Sequence, residues 1–265
     1  MPRGRFSMLR SRLAGVQAVA AESGHSFARH SHDQFGLGLI DRGAQRSLSG
    51  RGTVEAGAGS VITCNPGEVH DGAPIGGERV WRMLYLDPAL VADAVADMTE
   101  GRAGMAEFPD PVRRDARLAD LVGRLHTAMT APGEGTLRAE ELLRLALAAL
   151  IGDGAGGRAR LPAGIGRARA LLDEDPAAPV TLADLAAASG LSRYQVIRGF
   201  RAGLGLTPHA YLVQRRIDLA RRHIAQGMGL AEASVAAGFA DQSHMTRIFT
   251  AKYGLTPRAY AVALR

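Results

Sequence analysis

The C-terminal part of the chain contains one segment twice. Residues 198–211 (RGFRAGLGLTPHAY) and residues 247–260 (RIFTAKYGLTPRAY) are identical at nine of 14 positions, at an offset of 49 residues. Such self-similarity indicates one structural unit that occurs twice. The fold of this region must therefore accommodate two copies of one small unit.

Each copy carries the signals of a helix-turn-helix. In the first copy, Thr181 is a predicted N-cap for a short helix over 182–189, and Gly190 supplies the turn. Ser192 then caps a second helix, with Gln195 three residues later completing a capping box. The second copy is predicted to have a first helix over 230–237, a turn at Gly238 and a second helix from about Gln242.

The second helix of each copy has an apolar face and a polar face. Val196 and Phe200 are predicted to point inward in the first copy, as are Met245, Ile248 and Phe249 in the second. The predicted outward positions are Arg193, Tyr194, Ile197, Arg198 and Arg201 in the first copy, and Gln242, Ser243, Thr246, Arg247 and Thr250 in the second. Arginine and glutamine can bind base edges and phosphates, so such a face suits the major groove of DNA.

A predicted helix over 208–226 joins the two copies, starting at Thr207-Pro208 and ending at Gly227. A helix of this length spans about 27 Å. A stiff connection of that length could hold two recognition helices about one turn of DNA apart, ~34 Å. We therefore interpret the two copies as one bipartite DNA reader.

The distribution of charge supports a polyanionic partner. Residues 158–265 carry 15 Arg and Lys against 7 Asp and Glu, a net charge of +8, whereas residues 1–157 carry 17 against 19, a net charge of −2. Double-stranded DNA is the first candidate partner. Cys64 is the only cysteine, which excludes an intrachain disulfide and a cysteine-based zinc cluster. No apolar run is long enough for a membrane helix and no signal peptide is visible, so the expected location is cytoplasmic.

The N-terminal part has a different pattern. Residues 14–86 contain short apolar stretches separated by turn signals such as Asp41-Arg42-Gly43, which predicts an antiparallel sandwich or barrel of short strands. Leucine and valine at helical spacing over 118–125 and 142–151 predict two helices, the second buried on most sides. Glycines over 152–157 predict a flexible linker.

These motifs resemble the AraC family of transcription regulators. In the C-terminal region the resemblance rests on TLADLAAASGLSRYQVIRGF and on GFADQSHMTRIFTAKYGLTPRAY, with Ser234 where the family usually has alanine. In the N-terminal region it rests on His30-Ser31-His32-Asp33-Gln34 and on Asn65-Pro66-Gly67-Glu68-Val69-His70. The resemblance implies an α+β multidomain protein. A cupin-like β-barrel with dimerisation helices precedes an all-α double helix-turn-helix domain. The positions that match the family's base and phosphate contacts are Arg193, Tyr194, Ile197, Arg198, Gln242, Ser243, Thr246 and Arg247.

Three histidines raise a chemical question. His30, His32 and His70 resemble the ligand histidines of metal-binding cupins, but no carboxylate follows at the expected place within Asp33–Leu37. Three interpretations stay open: hydrogen bonding at strand ends, contact with an effector, or a bound metal. The missing carboxylate favours the first two, so the sequence predicts no metal and no cofactor. Trp81 and Tyr85 lie on one face of a predicted strand and are further candidates for the lining of an effector cavity.

The sequence thus predicts a sensing and dimerisation domain over 1–151, a linker over 152–163 and a DNA-binding domain over 164–265. The predicted function is sequence-specific regulation of transcription in response to a small-molecule effector, by a homodimer that can also contact RNA polymerase. No catalytic residue is predicted and no membrane partner is expected. Two alternatives are a cupin-type metal enzyme with a DNA-binding appendage and a nucleoid-type DNA binder without sequence preference.

Overall fold

The chain divides into two compact units, residues 1–157 and 158–265. The computed structural model describes residues 4–99, 106–131, 136–151 and 161–264. Most of the predicted linker, residues 152–160, lies outside the described residues. Among the helices of the described ranges, none combines the length and the apolar character that a membrane span requires.

The N-terminal unit is an antiparallel sheet covered on one face by helices. Its strands are β1 (Arg5–Leu9), β2 (Val16–Ser23), β3 (Phe27–His30), β4 (Phe35–Ser49), β5 (Gly52–Gly57), β6 (Val61–Cys64), β7 (His70–Leu86) and β8 (Val112–Arg113). Its helices are α1 (Pro88–Thr99), α2 (Ala116–Thr130) and α3 (Thr136–Leu150). The strand order is β1-β2-β7-β4-β6-β8, with β3 paired to β7 and β5 paired to β4. This is the predicted cupin-like architecture.

Two of these strands are much longer than the sequence pattern indicates. The predicted turn at Asp41-Arg42-Gly43 is wrong, because β4 continues through it to Ser49. Its pairing with β7 shifts register between Ile40 and Arg42 and again between Arg42 and Ala44. Gly43 adopts a φ of 76° at this bulge, a conformation that glycine tolerates because it has no side chain. The turn signal therefore coincides with an irregularity in the pairing of a continuous strand, not with the end of a strand.

The two faces of the sheet have separate apolar cores. Phe35, Leu37 and Leu39 share one face of β4, and this face packs against helices α1–α3. The opposite face encloses Ile40, Trp81, Met83 and further partly buried aromatic residues. Helix α3 is less enclosed than predicted, because 51% of Leu145 is exposed.

The C-terminal unit consists entirely of helices in the described residues. They are α4 (Ala163–Glu174), α5 (Leu182–Ser189), α6 (Arg193–Leu204), α7 (Pro208–Ala225), α8 (Leu230–Ala236), α9 (Gln242–Tyr253) and α10 (Pro257–Ala263). The predicted N-cap at Thr181 and the predicted capping box at Ser192 are both present, and Thr181 also forms a capping box, with Asp184. Gly190 (φ 70°) and Gly238 (φ 80°) make the turns of the two helix-turn-helix units. The joining helix α7 has 18 residues and begins at Pro208, as predicted.

Candidate DNA-binding faces and effector site

Helices α6 and α9 are the second helices of the two helix-turn-helix units, and each buries its predicted apolar face except at Ile248, which is half-buried. Val196, Phe200, Met245 and Phe249 are fully buried. Of the predicted outward positions, Arg193, Tyr194, Arg198, Arg201, Gln242, Ser243 and Arg247 are exposed, whereas Ile197 and Thr246 are half-buried. Tyr194 stands out among them because 69% of its surface is exposed, which is unusual for a large aromatic side chain.

Thr250 differs from the prediction. The residue is half-buried, and its hydroxyl oxygen is buried without a hydrogen-bond partner among the described residues. A side chain whose polar atom points into the protein cannot present that atom to a base. The physical reason is its position on α9, one residue after the fully buried Phe249 and thus at the edge of the apolar face.

A buried polar network connects the joining helix α7 to α9, the second helix of the second helix-turn-helix. Asp218, 1% exposed, accepts hydrogen bonds at Oδ1 from Gln214 Nε2 (3.0 Å) and from the Tyr253 hydroxyl (3.1 Å). Lys252 Nζ donates to Gln214 Oε1 (2.8 Å). Because Tyr253 and Lys252 belong to α9, these contacts attach the second recognition helix to α7.

Helix α7 is also connected to α4, by a second acidic residue. Asp173, on α4, accepts a hydrogen bond from the Tyr211 hydroxyl (2.7 Å) and pairs with Arg215 Nε (2.9 Å). Arg215 also approaches Asp218, with 3.5 Å between Nη1 and Oδ2. Polar and ionic contacts thus run from α4 through α7 to α9. Sequence reasoning missed this network, because its members lie far apart in the sequence and come together only when α4, α7 and α9 pack against one another.

Lys252, the only lysine in the sequence, makes the stability of this unit sensitive to pH. Burial lowers the pKa of Lys252 from 10.5 to about 8, although Asp218 opposes the shift. Between these two values the unfolded chain holds a proton that the folded chain has released, so stability rises with pH in this window. We expect the wild type to gain free energy of unfolding relative to Lys252→Met between about pH 7 and about pH 9.5.

Denaturant unfolding of the two proteins at both pH values measures this difference. The comparison isolates Lys252, since all other titrating groups are shared. A difference that does not change with pH would contradict the expectation.

In the N-terminal unit the three histidines lie together. His30 and His70 are direct cross-strand partners of β3 and β7, and His32 follows two residues after His30. Their ring centroids are 4.5 Å apart for His30 and His70, 4.8 Å for His30 and His32, and 5.0 Å for His32 and His70. One ring nitrogen from each lies within 4.8 Å of the others.

Backbone carbonyls orient two of the three rings. His30 Nδ1 lies 2.7 Å from the carbonyl oxygen of Ala28, and His70 Nδ1 lies 3.0 Å from that of Glu68. A carbonyl can only accept, so Nδ1 carries the proton in each case and Nε2 holds the lone pair of the neutral ring. Burial lowers the pKa of His70, which favours this neutral form.

Trp81 and Tyr85, the two predicted aromatic residues, lie on the face of β7 opposite to helices α1–α3. This face is the interior face of the sheet. Tyr85 packs against His32, with 5.0 Å between ring centroids. Trp81 packs against Phe6 (5.8 Å) and Phe27 (6.2 Å) instead. Phe27 in turn lies 6.1 Å from His30, so it connects the two groups.

Sequence reasoning missed Arg79, which lies two residues before Trp81. Arg79 is 1% exposed, and its guanidinium lies 4.5 Å from the centre of the Trp81 ring. It donates to the Gln45 side chain (3.0 Å) and to the carbonyl of His25 (3.1 Å). Burial lowers its pKa to about 10, so the charge persists at neutral pH. The alternation of residues 79, 81, 83 and 85 on β7 was the signal that could have found it.

Gly36 lies among the residues Asp33–Leu37, where the carboxylate of a cupin enzyme is expected. A side chain at Gly36 would collide with the sulfur of Cys64, and Met83 and Tyr85 border the same space. Burial raises the pKa of the Cys64 thiol to about 12, so this sulfur is a small apolar group. Among the described residues, the cluster that brings the three histidines together contains no carboxylate.

Comparison with protein families gives two matches. The model for the AraC-like ligand binding domain matches residues 15–147, and that for a helix-turn-helix domain matches residues 185–262. The chain belongs to the AraC family. It is a transcription regulator with an N-terminal ligand-binding domain and a C-terminal DNA-binding domain, as the motifs predict.

Individual relatives agree with this assignment. The chain is 29% identical over 225 residues to an uncharacterized HTH-type transcriptional regulator, YbfI, of Bacillus subtilis, covering 83% of this chain and 81% of that protein. It is 40% identical over 84 residues to the transcriptional activator NphR of a Rhodococcus species, covering 31% and 25% of the two chains. The crystal structure of apo ToxT K231A from Vibrio cholerae has the same fold, with a TM-score of 0.61 at 12% identity over 97% of this chain and 100% of that one.

Proposed function

We propose that this regulator binds double-stranded DNA as a homodimer through the exposed faces of α6 and α9, and that a small-molecule effector bound in its N-terminal domain controls the binding. The observation that carries the proposal is the presence of two polar recognition faces on helices that both pack on α7. Helix α6 does so through Phe200 and Tyr211, whose ring centroids are 5.8 Å apart, and α9 through the hydrogen bond of Tyr253 to Asp218. Two dissimilar faces read two different base sequences, which favours a specific site over sequence-independent binding.

The DNA contacts are assigned to the predicted outward positions of α6 and α9, of which all but Arg201 and Thr250 match the family's contact positions. They are Arg193, Tyr194, Ile197, Arg198 and Arg201 on α6, and Gln242, Ser243, Thr246 and Arg247 on α9. Thr250 is assigned at most a contact through its methyl group. The N-terminal boundary of the DNA-binding domain is assigned to residue 164, after a linker over 152–163.

The effector site is assigned to the interior face of the sheet in the sensing and dimerisation domain, residues 1–151. Its proposed lining is His30, His32, His70, Trp81 and Tyr85, to which the structure adds Arg79. A structure of ToxT from Vibrio cholerae with a bound unsaturated fatty acid supports ligand binding in a protein of this fold. An effector must favour one arrangement of the DNA-binding domains over another, since equal affinity for both shifts nothing.

The remaining assignments follow from this role. Acting on DNA and on RNA polymerase places the protein in the cytoplasm, and regulation by binding requires no catalytic residue. The half-exposed Leu145 on α3 and the 78% exposed Leu137 provide apolar surface on a helix of the predicted dimerisation region.

Two arginines test the DNA-binding faces. We expect Arg198→Ala and Arg247→Ala each to weaken binding to a site selected from random DNA by about 1–3 kcal/mol, the value of one good base contact. Both side chains are exposed, so the melting temperature should stay unchanged. Arg169→Ala is the matched control, because Arg169 lies on α4, outside both helix-turn-helix units, and its side chain is 46% exposed in its pair with the half-buried Asp173.

Titration of labelled DNA by each variant measures the effect. Normal binding by both recognition-helix variants would place the DNA-binding faces elsewhere. Loss of folding in both would make the two arginines structural.

A further inference from the structure

We propose that His30, His32 and His70 form a binding site for a divalent transition metal ion. The sequence argues against a metal because no carboxylate stands at the place within Asp33–Leu37 where cupin enzymes have one. Three imidazoles with one open position are nevertheless a complete protein ligand set for zinc. The site adds to the proposed function, and it stands whether or not the metal controls DNA binding.

The first argument is the placement of the ligand atoms. Their mutual distances of up to 4.8 Å compare with about 3.3 Å between ligand nitrogens in a tetrahedral site with metal–nitrogen bonds of about 2.0–2.1 Å. Small side-chain rotations close this difference, because His30 and His70 already face each other across β3 and β7.

The second argument is the hydrogen bonding behind the rings. Histidines that bind a metal donate their other ring N–H to a carbonyl or carboxylate, which fixes the tautomer and the ring orientation. Here the carbonyls of Ala28 and Glu68 fill this role for His30 and His70. In both rings Nε2 is then the nitrogen that can act as the ligand.

The third argument is the chemistry of the surroundings. His30 and His32 are buried, and His70 is half-buried, so the site is sheltered but reachable. Tyr85 packs on His32, and the sulfur of Cys64 lies by Gly36 and Tyr85. Neutral imidazoles without carboxylates favour zinc, nickel, copper or iron over magnesium or calcium, which prefer oxygen.

The experiment is calorimetric titration of the full-length, EDTA-treated protein with Zn²⁺, together with elemental analysis after dialysis. We expect saturable binding of one Zn²⁺ per chain. His30→Asn and His70→Asn keep a donor near the Nδ1 position but remove Nε2, and each should weaken binding by more than about 100-fold, since loss of a supporting partner alone costs 10–100-fold.

His25→Asn is the matched control, because His25 is exposed, packs on Phe27 and lies outside the cluster. It should bind Zn²⁺ as the wild type does. Thermal melting in EDTA shows whether the two Asn variants are folded. If either is unfolded, His32→Gln is tested in its place. Absence of saturable binding to the wild type, or 1:1 binding that survives in folded variants of the cluster, would overturn the proposal. DNA binding by the same proteins is measured separately, so a failure of the metal site is distinguishable from a failure of the DNA-binding function.

Discussion

Replacing Asp218 by alanine is expected to lower the free energy of unfolding of the C-terminal unit by about 3–5 kcal/mol, the cost of removing one partner from a buried ionic network. Asp218 is 1% exposed and accepts from Gln214 and Tyr253, while Arg215 approaches its other oxygen. Alanine would remove the acceptor that the Gln214 and Tyr253 donors share and the charge that faces Arg215. Each such donor carries a desolvation cost.

Asp218→Asn separates the two parts of this effect. An amide keeps an oxygen for Gln214 and Tyr253 but loses the charge that faces Arg215, so an intermediate loss is expected. Glu174→Ala is the control, because Glu174 is an exposed acid on α4 whose replacement should change stability by about 0.5 kcal/mol or less. Denaturant unfolding measures all three, and an Asp218→Ala protein as stable as the control would contradict the structural role of the network.

The polar network also shows where sequence reasoning stops. Thr181, Ser192 and the glycines at the two turns act on residues within three or four positions, so local pattern was enough to predict the helix-turn-helix units. Asp218 and Tyr253 are 35 residues apart and meet only because α9 packs on α7. No periodicity in the sequence reports such a contact.

The N-terminal unit was predicted less completely for a similar reason. Strand β4 contains a turn signal at Asp41-Arg42-Gly43, but pairing with β7 on both sides of the bulges keeps the chain extended. Tertiary pairing overrides the local turn preference here. Helix α1 was not predicted, although its residues Val91, Ala94 and Val95 contribute to the core.

The histidine cluster lies between these two cases. Residues His30 and His32 point to the same side of an extended segment by their spacing of two, which the sequence shows directly. The pairing of His30 with His70 depends on the register of β3 and β7, and so do the carbonyls that orient the rings. The residues were therefore identifiable from sequence, whereas the proposal that they bind a metal rests on the structure.

A fragment of residues 158–265 is expected to fold alone and to bind the selected DNA about 10²–10⁴-fold more weakly than the full-length protein, the usual contribution of a second tethered binding event. Folding is expected because this compact unit has its own apolar core, including Ile165, Leu172, Val196 and Phe200. The loss in affinity is expected because the proposed dimerisation helices are absent from the fragment. The basic charge of +8 stays with it, so binding should remain salt-dependent.

Footprinting of the fragment on a single bipartite site tests the role of α7 directly. Both recognition helices are in the fragment, and α7 contacts α6 through Tyr211 and α9 through Asp218. The footprint should therefore cover both halves of the site, with the same spacing that the full-length protein requires. Protection of one half alone would show that α7 does not act as a rigid spacer. Affinity equal to that of the full-length protein would show that dimerisation adds nothing to DNA binding.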